Sequence, residues 1–368
     1  MKPFIYFFLT LVFIFACGDD KTTINKPKEK QALVSGIYKG QSTLQYTGRV
    51  GEIVLVADNT LITEQIEYLL DSLFGDFIKP YYPPEKRFKI IPMSIERYNK
   101  IGKRIRNLIK MEIDTSLIQD EAIVMLKKDF YARTQLLTEI KANSYNQLIS
   151  ALLTQMPAFV QEYDNQEWNR EFLRHKSDNN SLIRNKLINQ FGIALEFPAD
   201  AKYESVKPNF AKISLPDYSR QLDIQANGGL GDSKSNFIQS GIFIWSFDFI
   251  DSSQLNPSFL LKARDTMLKY NALHEIDGVY MGTQDHPAVI PVCEKIRIGN
   301  IEGLEFRGLF KFTGRFEPSG GKFWSFHFKH PHQNKIIAIS GYLDSPPTIS
   351  CSFDLRRIQA IIYSLKIS

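Results

Sequence analysis

Cysteine is scarce in this chain, three residues in 368, and histidine is nearly so, at six. Neither Cys293 nor Cys351 sits in a CxxC pair, which leaves no cysteine-based zinc or redox motif. His274-Glu275 lacks the second histidine of HExxH, and neither a GxSxG nor an acidic calcium loop occurs. Asn227-Gly228-Gly229-Leu230-Gly231-Asp232 is rich in glycine but lacks the Lys-Ser/Thr of a phosphate loop, so it reads as a turn or mobile loop. Beyond Cys17 no apolar run approaches the roughly 20 residues that cross a bilayer. These absences leave no residue to name as catalytic and no cofactor to expect. Hydrolysis of glycan or peptide stays open, because paired carboxylates are recognised by their separation in space.

What the chain has is an address. Lys2 precedes the apolar stretch Phe4 to Phe15, interrupted only by Thr10, and Ala16-Cys17-Gly18 follows at once. A run of about a dozen apolar residues is too short for a span and fits the core of a secretory signal. The small residue before the cysteine, with Ile14 three positions upstream, reads as a bacterial lipobox. Cleavage before Cys17 would leave that cysteine lipidated, removing residues 1–16 as signal peptide. An uncleaved helical anchor, or an ordinary secreted protein, would share most of these features. The polar stretch of residues 18–35, which carries Pro27, reads as a flexible tether, and residues 17–50 are assigned to the lipidated cysteine and its linker. The expected location is the bacterial envelope, at the outer membrane, with the membrane as partner through the lipid.

The body has the makings of a large core: 43% of residues are hydrophobic and 12% aromatic. The formal charge of +5 is modest. Lys100, Lys103, Arg104, Arg106 and Lys110 cluster, yet an exported protein rarely meets nucleic acid, so a solvated face is the better reading. Export would permit a disulfide between Cys293 and Cys351. Two small buried thiols fit the pattern better.

Glu52 to Ala57 is apolar on both faces, as a buried central strand would be. Asp58-Asn59-Thr60 offers capping chemistry before a helix with Ile62, Ile66, Leu69, Leu70, Leu73 and Phe74 on one stripe. Strands follow at Phe88 to Met93, Ile105 to Ile113, Ala122 to Leu126 and Gln135 to Ala142. Ser144 to Gln147 is a capping box opening a long helix that Pro157 should kink or split. Ser177 to Ser181 marks the boundary between an N-terminal unit, 51–178, and a C-terminal unit, 179–368. In the second unit a helix, Leu182 to Phe191, stops at Gly192. Phe243, Trp245, Phe247 and Phe249 then fill one face of a strand, and Asn256-Pro257 starts a helix that points Phe259, Leu260, Ala263 and Met267 inward. Leu304, Phe306, Gly308, Phe310 and Phe312 alternate with Glu305, Arg307, Leu309 and Lys311, and a hairpin turns at Pro331 to Asn334. A last helix carries Leu355, Ile358, Ile361, Ile362 and Leu365. The fold class is α+β: two mixed α/β units, the C-terminal one an antiparallel sheet with packed helices.

Arg264-Asp265, then Gly278-Val279-Tyr280-Met281-Gly282-Thr283, then Glu305-Phe306-Arg307-Gly308-Leu309, a Gly320-Gly321 pair and Ile361-Ile362-Tyr363 occur in this order. Their succession resembles the domain-of-unknown-function 4837 lipoproteins of bacterial envelopes, across nearly the whole mature chain. Ser319 and Lys322 stand beside the glycine pair where the family pattern has Met and Pro, and Phe310 where it has Trp. The resemblance implies an envelope lipoprotein and assigns no catalytic residue. A looser likeness joins residues 190–368 to the PsbP and Mog-like sandwich, whose members mostly bind partners.

Arg264, Asp265, Glu305 and Arg307 are the candidate residues of a partner or ligand surface, since arginine's planar fork grips carboxylate or phosphate. As plain structure, Arg264 and Asp265 would decorate a solvated helix face and Arg307 would make an intramolecular ion pair. In His327-Phe328-Lys329-His330-Pro331-His332, strand parity puts His327 with Phe323 and Ser325 but His330 with Trp324 and Phe326, so no metal site is expected. Trp245 and Trp324 lie in apolar strand patterns and read as core. The function expected is that of an envelope-anchored binding or assembly module for an envelope protein or glycan, the alternative being an envelope hydrolase.

Overall fold

The computed structural model describes residues 35–204, 207–219, 237–272, 276–314, 319–346 and 349–368. The leader, Cys17, Asn227 to Asp232 and His274-Glu275 lie outside the described residues.

Folding starts earlier than Gly51. The stretch assigned to the tether contains β1 (Ser35–Lys39), which pairs in parallel with β5 (Ile123–Lys128) at the rim of the first sheet. Ile37 and Tyr38 remain exposed there, which is why an apolar-pattern reading passes over them. β2 (Glu52–Ala57) is the buried strand its composition demands, with Ile53, Leu55 and Ala57 on one face and Val54 and Val56 on the other. Asp58 caps only a 3₁₀ turn; the helix α1 (Glu64–Phe74) takes Thr63 as its cap, the hydroxyl accepting from Ile66 N–H. After β3 (Lys89–Ser94) and the single turn α2 (Ile95–Arg97) come β4 (Asn107–Ile113), β5, and β6 (Leu136–Ala142). The six strands run β1-β5-β6-β4-β2-β3, and the four from β6 to β3 are parallel. Pro157 does split the long helical stretch: α3 (Tyr145–Thr154) ends, and α4 (Pro157–Ser177) begins with that proline in its first turn. α1, α3 and α4 cover one face of the sheet.

α5 (Ser181–Phe191) ends at Gly192, whose left-handed φ of 69° makes it the natural stop. Short strands β7 (Ile193–Ala194) and β8 (Lys202–Tyr203) lead to β9 (Phe210–Ser214), β10 (Tyr218–Ser219) and the long β11 (Phe237–Asp248). α6 (Pro257–Asn271) follows, capped by Asn256 as its Asn-Pro start requires. β12 (Tyr280–Thr283), β13 (Val292–Ile298), β14 (Ile301–Thr313), β15 (Gly320–Lys329) and β16 (Lys335–Asp344) complete a nine-stranded antiparallel sheet, and α7 (Ser352–Tyr363) follows, then β17 (Lys366–Ile367), which pairs with β7. Alternation divides each strand between two cores. Phe243 and Trp245, Phe306 and Phe310, Phe323, Ile336 and Ala338 face α6. Ile242 and Ile244, Trp324, Phe326 and Phe328, Ile337 and Ile339 face α5 and α7.

The two sheets belong to one compact unit. α7 joins them: Arg356 Nη2 donates to Arg87 O at 2.7 Å and to Asp164 Oδ1 at 3.1 Å, with its guanidinium 4.6 Å from the Phe88 ring centre. Tyr81 donates to Phe323 O at 3.0 Å, and buried Glu85 meets Lys322 at 3.1 Å while accepting from Ser350 and the Cys351 N–H. Cys293 and Cys351 are free thiols on opposite faces of the second sheet, among different cores. No helix among the described residues is long and apolar enough to cross a membrane.

Candidate functional site

The buried residues of α6 are Leu260, Arg264 and Leu268, four apart and hence on one stripe. Arg264 is therefore turned into the protein, not outward as the sequence reading has it, and Phe259 is turned out. Scoring arginine as polar rotates the expected inner face by one position. The guanidinium lies 3.8 Å from the ring centre of Phe323 on β15. Its Nη1 donates to Thr283 Oγ1 at 3.0 Å and reaches Asp265 Oδ1 at 3.4 Å. That carboxylate oxygen already accepts from Thr283 N–H at 2.8 Å and Thr283 Oγ1 at 2.6 Å. Arg264 Nε and Nη2 have no protein partner. Burial, opposed by Asp265, pulls the guanidinium down to about 10.

His327, also facing α6, stands edge-on to Trp245 and Phe306, with ring centres 5.6 and 5.0 Å away. Its Nε2 is 3.1 Å from Ser325 Oγ and its Nδ1 is unpaired, as are Ser340 Oγ and Trp245 Nε1. Burial, then the charge of Arg264, presses the ring down to about 3, so it is neutral. Ser325 and Ser340 are directly opposite each other on adjacent strands, flanked by Phe306 and Phe243. The row therefore has small side chains at its centre and aromatic rings at its ends. His330 sits past the end of β15, its Nδ1 accepting from His332 and Gln333 N–H and its Nε2 3.2 Å from Gly192 O.

Glu305 and Arg307 point to the other face, toward α7, so the sheet separates them from Arg264 and Asp265. Sequence reading names four residues and the structure makes two pairs of them. The face that reads as polar is covered: Glu305 is 3% exposed, and Tyr363 of α7 donates to its Oε2 at 2.7 Å. Burial raises its carboxyl, with Tyr363 and Arg307 opposing and Glu294 reinforcing the rise. Arg307 Nε lies 3.6 Å from Glu305 Oε1, Nη2 pairs with Glu294, and the guanidinium carbon is 5.4 Å from the Trp324 ring centre. Two carboxylates and an indole thus occupy this arginine within the chain.

A third feature escaped sequence reasoning because its residues are scattered. A groove of about 950 Å³ is lined by Tyr82 and Pro83, Phe237 at the start of β11, and Leu309 to Phe312 of β14, among others. Tyr82 and Phe237 are exposed in it. Its lysines are spoken for, Lys311 by Asp285 at 2.5 Å and Lys322 by Glu85. Asp344 is the one carboxylate among its described lining residues.

The second sheet and its helices account for a known sequence pattern. Residues 180–364 match the family described as Domain of unknown function (DUF4837). The chain belongs to that family. Residues 47–175 of this DUF4837 chain match a second description, Domain of unknown function (DUF8532). No curated protein matches it. Among solved structures it is similar to a point mutant of the protein Mog1 and to the Saccharomyces cerevisiae Ran-binding protein Mog1p. Each has 10% identity and a TM-score of 0.28, over 48% of this chain and 90% of the other. It is also similar to a protein from Bacteroides thetaiotaomicron, at 9% identity and a TM-score of 0.24, over 48% of this chain and 45% of that one.

Proposed function

We propose that this chain is an envelope-anchored lipoprotein, tethered through Cys17 at the outer membrane, that works as a binding module. The observation that carries the binding reading is the groove. Its volume of about 950 Å³ is at the upper end of ordinary ligand sites, and exposed Tyr82 and Phe237 supply aromatic area. Glycoside hydrolysis uses a carboxylate pair across the substrate, whereas the described lining offers Asp344 alone. The partner is a segment of another envelope protein laid along aromatic side chains. Anchoring is supported by the leader, since lipidation adds about 0.8 kcal/mol of membrane affinity per buried methylene.

The test places a photo-crosslinking residue at Tyr82, at Phe237, and at exposed Tyr68 of α1 as control, in wild-type and Cys17→Ser backgrounds. Positions 82 and 237 should give the same discrete adduct and position 68 none. Cys17→Ser should move the protein from membrane to soluble fractions. Indistinguishable adducts from all three positions would overturn the groove. An unmodified Cys17 in the mature protein, by mass spectrometry, would overturn the anchor.

A further inference from the structure

We propose that Arg264 and its neighbours bind a small organic carboxylate, held side-on by the Nε and Nη2 edge of the guanidinium beneath α6. This goes beyond the groove and does not depend on what occupies it.

The first argument is geometric. A guanidinium meets a planar carboxylate best through two parallel N–H bonds. In Arg264 the Nη1 end is held by Thr283 and Asp265, while the Nε and Nη2 donors that make up the adjacent edge have no protein partner. The side chain is fully buried, so bulk solvent does not reach them. Buried donors are nearly always matched. A whole fork left unmatched points to a planar oxyanion.

Charge is the second argument. A buried ion needs a close counter-ion to offset its desolvation. Asp265 is 40% exposed, 3.4 Å away, and engages Arg264 through an oxygen already accepting two bonds from Thr283. Neutral His327 adds no second positive charge, so Arg264 is the one cation the bound group would meet, and Asp265 offsets it only from a half-exposed position, which limits that group to a single negative charge.

The surroundings supply the third. Ser340 Oγ, His327 Nδ1 and Trp245 Nε1 are buried, unpaired and on the α6 face of the same sheet. The central serines leave more room than aliphatic residues would, and Phe306 and Phe243 offer apolar walls suited to the carbon end of a short acid.

The experiment is ligand-dependent melting of the full-length protein with formate, acetate, phosphate and chloride at matched ionic strength, together with extraction of natively purified protein for bound organic acids. A ligand that binds only the folded state raises Tm with its concentration. Formate or acetate should raise the wild-type Tm by several degrees, chloride should not, and extraction should release an acid in near-stoichiometric amount. Arg264→Lys keeps the charge but loses the fork, and should abolish the rise. Ser340→Val fills the space without touching the charge, and should do the same should the lysine variant fail to fold. Three outcomes would overturn the proposal: a rise with phosphate alone, a rise retained in Ser340→Val, or no rise and no extracted acid with only ordered water at Nε and Nη2 in a crystal structure.

Discussion

Arg307 looks from its strand position like a surface residue and proves to be a clasp. Its side chain is 15% exposed and it neutralises Glu305, which α7 covers. Surface pairs contribute about 0 to 1 kcal/mol, whereas removing the partner of a buried charge costs more. Arg307→Ala should therefore destabilise by about 1–3 kcal/mol. Glu305→Gln in the same chain should recover part of that loss, because the neutral amide no longer needs a counter-charge. A urea-denaturation double-mutant cycle measures this, and additive losses would show the two residues uncoupled. At this scale the alternation of β14 was legible, with Phe306 and Phe310 inside. What a polar side chain faces was not, because a strand's second face reads the same whether water or a helix lies over it. Arg264 failed for a related reason: a hydrophobic stripe is found by apolar members, and the cation in its middle counts against it.

α4 shows polar burial on the scale of an element. Glu167 accepts from Arg106 at 2.9 Å, Asn107 at 2.6 Å and Arg170 at 2.7 Å, pinning the helix to β4 and the residue before it. Burial would raise this carboxyl, but Arg170, Arg106 and Arg356 outweigh it and hold it below its usual range. Arg106, grouped by sequence with a basic solvated face, is thus turned inward; its lysine neighbours gave no hint of the partner 61 positions away. Further along, His175 is 1% exposed with neither ring nitrogen paired. Burial first, then Arg174 and Arg357, push its ring down to about 3. An unfolded histidine titrates near 6.5. Between those values the unfolded chain holds a proton that the folded chain refuses, so stability is full above about 6.5 and falls as pH drops toward 3. At pH 5 the loss from this one ring is about 2 kcal/mol, and His327 acts with the same sign. His175→Phe should flatten the dependence of the urea midpoint between pH 7 and pH 5. An unchanged slope would mean the ring charges freely in the fold. Caps and stops at this scale were plain in the sequence: Ser144, Asn256-Pro257 and Gly192 each act as their chemistry dictates.

For the whole molecule, the contacts that tie the sheets together predict one cooperative transition. Urea unfolding followed by far-UV circular dichroism, and by fluorescence in a Trp168→Phe variant that confines emission to Trp245 and Trp324, should give coincident midpoints. Separate midpoints would show that the first sheet melts on its own. Sheet order was not legible: β1 and the parallel run from β6 to β3 rest on pairings between distant strands, which local periodicity does not encode. The groove was invisible for the same reason.

α7 also has a consequence in time. Asp354 to Ile362 are all buried, and Arg356 reaches a partner 192 positions earlier in the chain. A ribosome releases both sheets before this helix, so the second sheet waits with the apolar face that α7 covers open until the helix arrives. Loop closure over such separations is slow, which makes the docking of α7 a late step in folding.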